Sequence, residues 1–140
     1  AGQICFPGGR VQADDGNSTI TALRETEEEV GIARELVDVI GALGAHQGGL
    51  GFSVTPVVGV VDAKAAIHPA PREVAEAFEV PLSFISDLAN HSVEQREEQG
   101  VAFNIFSIRH QGFHIWGLTA GILRSLAEIL QDEPFGPDRR

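Results

Sequence analysis

Four glutamates crowd behind one arginine in Arg24-Glu25-Thr26-Glu27-Glu28-Glu29-Val30-Gly31-Ile32, a stretch approached through Phe6-Pro7-Gly8-Gly9-Arg10. No other part of the chain narrows the choice of fold as much. Ser18 suits an N-cap, Ala22 and Leu23 favour helix, and Gly31 stands where a left-handed C-terminal residue belongs. This predicts a helix over Thr19 to Val30. At about 100° per residue, Glu25, Glu28 and Glu29 then share one face, being related by i, i+3 and i+4. Ala22, Leu23, Thr26 and Val30 take the opposite, core-facing side, and Glu27 is merely solvated.

That arrangement is locally unfavourable. Like charges at these spacings cost roughly 0.2–0.5 kcal/mol each, and acids in a last helical turn oppose the macrodipole at about 0.3–1 kcal/mol apiece. Arg24 offsets part of this by reaching Glu28 at i+4, but one cation does not neutralise four carboxylates. An acidic helix is usually no more than a wet surface. Broken local rules without visible compensation, however, mark places to look for function. The compensation expected here is a divalent cation, since three carboxylates on one ridge offer the hard oxygen ligands that Mg²⁺ or Mn²⁺ takes.

The whole pattern, Phe-Pro-Gly-Gly, a loop, then Arg-Glu-Thr-Glu-Glu-Glu-Val-Gly-Ile, resembles the Nudix box, whose core reads Arg-Glu-apolar-x-Glu-Glu-x-Gly-apolar. The helix half is intact, with Thr26 where an aliphatic residue is commoner. The box also expects a Glu six residues after a glycine and eight before the arginine. Asp15 lies six after Gly9 but nine before Arg24, so one residue is inserted and Glu has become Asp. Spacing alone assigns Asp15 no role. The resemblance implies an α/β class fold, an α/β/α sandwich with a mixed β-sheet. It also implies Arg24, Glu25 and Glu28 as catalytic residues, with Arg24 positioning the Glu25 carboxylate. Glu25, Glu28 and Glu29 would be the metal ligands, joined by the Gly8 carbonyl and by Glu73 from outside the box. Arg10, His46 and Phe52 are the expected substrate contacts, His46 because its glycine-rich loop can reach the site.

At 140 residues the chain suits a single domain over 1–140 that buries about two-thirds of its unfolded surface. Hydrophobic content of 43% is ordinary for a globular protein. Ala1 to Cys5 reads as the tail of a strand entered halfway, so an upstream segment is expected, and 132–140 reads as a frayed tail. A net charge of −10 argues against wide contact with nucleic acid, though a bound metal can reverse the local field for a small anion. No apolar run is long enough for a membrane span and no signal peptide is visible. With one cysteine, Cys5, the expected compartment is the cytoplasm. A homodimer is admissible on these grounds.

Along the chain, Gln3–Phe6 is expected to end a strand, and 11–17 to be polar loop. Strands are expected over Leu36–Gly41 and over Phe52–Val61, the latter β-branched and buried. Glu73–Leu82 is read as a strand, Leu82–Leu88 as a short helix and Asn90–Gly100 as a charged loop. Val101–Arg109 alternates as a strand, turns at His110-Gln111-Gly112 and pairs back through Phe113–Trp116. Leu118–Leu130 has the apolar spacing of an amphipathic helix. No helical His-x-x-x-His or Cys/His spacing points to zinc.

Stretches outside the box are similar to one subfamily, the coenzyme A diphosphatases. They are Gly2-x-x-x-Phe6-Pro7-Gly8-Gly9, Gly51–Gly59, Glu73–Leu82 and His114-Ile115-Trp116-Gly117-Leu118-Thr119-Ala120. What this implies is metal-dependent hydrolysis of the diphosphate of coenzyme A or its thioesters, giving 3′,5′-ADP and 4′-phosphopantetheine. Two other expectations compete with it. One is a Nudix hydrolase of another nucleoside diphosphate derivative, such as ADP-ribose or NADH. The other is a non-catalytic Nudix-fold binding module, which would be expected to have lost box carboxylates that stand here.

Overall fold

Asn17, not Ser18, caps the acidic helix. Its side-chain oxygen accepts the Ile20 N–H at 2.9 Å while its backbone is extended, so α1 runs Ser18–Val30 and starts one residue earlier than the sequence predicts. Gly31 ends it at φ 73°, ψ 20°, its N–H donating to the Glu27 carbonyl. Glycine is required there twice over, by the positive φ and because an added Cβ would lie 2.9 Å from the Cβ of His68. The Val30 and Glu29 carbonyls, orphaned at the helix end, accept the N–H groups of His68 and Ala70 at 2.7 and 2.8 Å. The loop that carries His68 and Ala70 thus closes the C-terminus of the helix.

This computed structural model describes residues 3–48, 51–72 and 74–132. They fall in two compact units, Phe6–Glu79 and Ala1–Cys5 with Val80–Arg140. The first holds α1, a 3₁₀ turn at Arg34–Leu36, and four strands: β1 Val37–Ala42, β2 His46–Gln47, β3 Ser53–Val54 and β4 Val57–Val61. β1 pairs antiparallel with β4, and β2 with β3. The expected buried strand over Phe52–Val61 is therefore two strands serving different partners. Pro56 has no N–H to offer a ladder, and only its carbonyl is used, by the Leu43 N–H at 2.9 Å. The second half is not buried either, with Val60 56% and Val61 42% exposed.

The second unit holds α2 Leu82–Ser86, a 3₁₀ turn at Leu88–Asn90, a three-stranded meander and α3 Leu118–Asp132. The meander is β5 His91–Glu98, β6 Val101–His110 and β7 Phe113–Trp116, in the order β5-β6-β7. Gln99-Gly100 and Gln111-Gly112 join its strands, all four residues having positive φ, as the tight turns that match strand twist require. Its core is Ile85, Ile108, Ile115, Ala120, Ile122 and Ala127, and α3 packs on β6, β7 and α2. Burying each isoleucine contributes about 1.5–3 kcal/mol.

Three further expectations about elements fail. The charged stretch 90–100 is not a loop, because β5 pairs residue for residue with β6 from His91↔Ile108 to Glu98↔Val101. Residues 74–81 form no strand; the Val74 N–H instead donates to the Ala70 carbonyl at 2.9 Å. Nor do residues 3–6 end one; the Ile4 carbonyl instead accepts the Thr119 hydroxyl at 2.9 Å. Helix and strand are mixed in both units, as the α/β class requires, and every strand pairing among the described residues is antiparallel. No helix among them is long and apolar enough to cross a membrane.

Candidate active site

The ridge predicted on α1 is present, and it is held from beneath by a group to which spacing assigned nothing. Asp15 is buried, its side chain 3% exposed. One carboxylate oxygen accepts Arg24 Nε at 2.9 Å. The other accepts Arg24 Nη2 at 3.0 Å, the Thr21 hydroxyl at 2.8 Å and the Gln12 N–H at 2.8 Å. The Arg24 guanidinium, first of these, together with the Gln12 N–H and the Thr21 hydroxyl, holds the carboxyl far below the usual carboxylate range against the opposing effect of burial. The same pairing, chiefly with Asp15, raises the Arg24 pKa further, so it stays a cation at any working pH. An aspartate is one methylene shorter than the glutamate the box expects. The extra residue between Asp15 and Arg24 leaves it seated at the arginine even so.

Thr21 is a functional neighbour that was not among the expected site residues. It is the buried residue of α1, and its spacing to Arg24, Glu25 and Glu28, at i+3, i+4 and i+7, places it on the acidic ridge itself. That signal was available from the sequence. A hydroxyl at the head of a carboxylate ridge asks for an acceptor.

With one edge fixed by Asp15, the Arg24 guanidinium turns Nη1 to the ridge. Nη1 lies 3.4 Å from Glu25 Oε2 and 3.3 Å from both Glu28 oxygens. Nη2 also donates to the Arg10 carbonyl at 3.3 Å. One arginine therefore joins the loop after Phe6 to the helix and, besides Asp15, touches two carboxylates of the ridge. Glu29 faces the same loop, its Oε2 accepting the Gly8 N–H at 3.1 Å. A Cβ at Gly9 would overlap Glu25 Oε2, so glycine is what allows the backbone this close. For Gly8 the contact is through its N–H, where the resemblance implied its carbonyl.

The expected substrate contacts divide. The Arg10 guanidinium carbon sits 4.9 Å over the Phe52 ring, bringing both to the border of the ridge through the Arg10 carbonyl. His46 belongs to the hairpin that carries Phe52, with Gly48 N–H bonded to the Phe52 carbonyl at 2.8 Å. Its Nδ1 is engaged 2.8 Å from the Gly44 carbonyl, a contact with its own loop. Glu73 lies outside the described residues.

As a cation site the ridge fits by donor type: three carboxylates on one helical face, all oxygen, which hard divalent ions prefer. No His, Cys, Asp or Glu side chains among the described residues gather three to a point as a finished cage. Glu25 and Glu28 are gathered on Arg24 Nη1, and the Glu28 side chain, 55% exposed, is the one with room to turn. Chemically the site brings together fixed carboxylates, a permanent cation behind them and a glycine loop with its backbone turned to the acids.

A family model for the NUDIX domain matches residues 1–98. A protein of Cronobacter sakazakii described as an uncharacterized Nudix hydrolase, NudL, is 40% identical over 134 residues, covering 96% of this chain and 70% of its own length. Its namesake from an Enterobacter strain is 40% identical over 126 residues, 90% of this chain and 66% of the relative. A third, from Photorhabdus laumondii, is 40% identical over 131 residues, with coverage of 94% and 70%. The chain thus spans about two-thirds of the length of these relatives.

Proposed function

The chain belongs to the Nudix hydrolases, enzymes acting on pyrophosphate bonds, and from that premise we propose that its substrate is coenzyme A or a coenzyme A thioester. The products would be 3′,5′-ADP and 4′-phosphopantetheine or its acyl form. The family's use of divalent ions carries over with the family; Mg²⁺ or Mn²⁺ is the proposed choice. The observation that carries the catalytic half is the ridge on α1, with Glu25 and Glu28 braced on Arg24, Asp15 behind it, and Glu29 held by the Gly8 N–H. The substrate half rests on the coenzyme A diphosphatase-like stretches around Phe6–Gly9, Gly51–Gly59 and His114–Ala120. The family match runs through the junction of the two units at residues 79 and 80, which supports reading them as a single Nudix domain.

Glu25, Glu28 and Glu29 would hold the metal, with Glu73 as a further acidic ligand proposed on resemblance alone. When bound, such ions lower the pKa of coordinated water and neutralise the diphosphate oxygens. The chain's own groups have distinct tasks. Arg24 fixes the directions of Glu25 and Glu28 and stays charged while doing so. Glu25, packed against Gly9, is the candidate general base. Gly8 holds Glu29 by its N–H and so ties the glycine loop to the ridge. His46 and Phe52, from one hairpin, and Arg10 would contact the substrate beyond the reacting phosphates.

The test is product analysis. Coenzyme A incubated with the full-length protein and Mg²⁺ or Mn²⁺ should yield 4′-phosphopantetheine and 3′,5′-ADP. Among coenzyme A, ADP-ribose and NADH, coenzyme A should have the highest kcat/KM. A higher value for ADP-ribose or NADH would move the protein to the second substrate class.

A further inference from the structure

A cation beside a carboxylate ridge ordinarily turns to pair with it. Arg10 does not. Its carbonyl is bonded to Arg24 Nη2 at 3.3 Å, and its neighbour Gly9 is pressed against Glu25, so its backbone sits at the edge of the acids. Yet its guanidinium lies 4.9 Å over the Phe52 ring and makes no ion pair among the described residues. Arg24, by contrast, is shared by three carboxylates, and Arg34 pairs with Glu27.

A ring contact leaves an arginine its hydrogen-bonding capacity. The Phe52 ring holds the Arg10 guanidinium by cation–π attraction. That contact uses none of its N–H groups, which make no ion pair among the described residues and can supply the forked pair of bonds that suits a phosphate or carboxylate. Phe52, 45% exposed, is a large apolar ring left at the surface with this cation as its cover. An arginine held in place before its ligand arrives loses less freedom on binding. In a chain of net charge −10, an oriented cation at the rim of the site is a selective feature.

We infer that Arg10, oriented by Phe52, reads a second anionic group on the substrate, a phosphate monoester separate from the diphosphate that is cleaved. This rests on the proposed coenzyme A reading, in which that group is the 3′-phosphate of the adenosine moiety. Arg10 is then what separates coenzyme A from ADP-ribose and NADH, which lack such a group. Phe52 is a positioning residue, acting through Arg10.

The experiment compares coenzyme A with 3′-dephospho-coenzyme A as substrates of the full-length protein, in wild type, Arg10→Ala, Arg10→Lys and Phe52→Leu. Wild type should favour coenzyme A in kcat/KM by about 10- to 100-fold, the factor that hydrogen bonds to a charged group carry. In Arg10→Ala that ratio should fall towards one, chiefly through KM. Arg10→Lys and Phe52→Leu should give intermediate ratios, since each keeps a cation but loses the fork or its orientation. Calorimetry without turnover should show 3′,5′-ADP binding wild type more tightly than 5′-AMP, a preference lost in Arg10→Ala. If wild type cleaves coenzyme A but the ratio is the same in Arg10→Ala, the inference falls and the proposed function stands. If wild type cleaves neither substrate, the proposed function falls and takes the inference with it.

Discussion

The two units of this chain are stabilised in opposite ways. In Val80–Arg140 the buried residues are mainly aliphatic: Ile85, Ile108, Ile115, Ile122 and two alanines of α3. Among the described residues of Phe6–Glu79 they are Ile32, Asp15 and Thr21, and Arg24 binds three carboxylates. Apolar burial is non-directional and tolerates small shifts. A carboxylate–guanidinium–carboxylate chain is directional, and each member is costly if its partner leaves. The first kind of unit makes a scaffold. The second fixes where charges point, at the expense of stability, which is what a reaction on a polyanion needs.

If that division is sound, substitutions in one unit should damage activity and those in the other should damage stability. The largest effect expected is on turnover. Glu28→Gln or Glu25→Gln should lower kcat by about 10²- to 10⁴-fold, the range of a lost acid–base or ligand group, and Glu29→Gln similarly, its amide oxygen still able to accept from Gly8 N–H. Metal-free melting temperatures should stay level or rise, because each change relieves like-charge repulsion on α1. A clear fall in melting temperature would mean the acids are structural, and the contrast would collapse.

Ile108→Ala is the counterpart in the other unit. At 1% exposure it should lose about 2–5 kcal/mol of stability, measured by urea denaturation, while kcat for protein still folded stays within a few-fold of wild type.

Asp15→Asn lies between, because it removes the charge that fixes Arg24 without changing shape. It should lower the melting temperature by several degrees and also lower kcat. Its pH dependence has a definite sign. The folded carboxyl titrates well below its unfolded value near 4, so its contribution is fully present above that value. It is lost as the pH falls from about 4 through the depressed folded value. The stability gap between wild type and Asp15→Asn should therefore be constant from pH 7 to 5 and narrow below pH 4 in acid-range urea titrations. Smallest is Asn17→Ala, which should cost about 1 kcal/mol through loss of the cap. Ser18→Ala should cost less, and a reversal of that order would put the cap back on Ser18.

The acidic ridge, its face and its glycine terminus were legible in the sequence because helical periodicity is local: Glu25, Glu28 and Glu29 meet wherever the helix forms. The turn at Gln111-Gly112 and the apolar spacing of α3 were legible for the same reason. β5 was not, since His91-Ser92-Val93-Glu94-Gln95-Arg96-Glu97-Glu98 carries charge on both faces and is a strand only because β6 lies beside it. The run at Phe52–Val61 erred the other way. Its β-branched residues read as one buried strand, but Val57–Val61 follows β1, Ser53–Val54 follows β2, and the outer valines stay wet.

What the amino-acid order decided by itself was the family and the chemistry on offer: which residues carry charge, and which of them a helix must set side by side. Only tertiary structure decided that Asp15 is the buried partner of Arg24, that Thr21 joins them, and that Arg10 covers Phe52 instead of joining the acids. Helical neighbours are set by a repeat of 3.6 residues. Partners nine or forty-two positions apart meet only when loops close, and where a loop closes depends on everything packed against it.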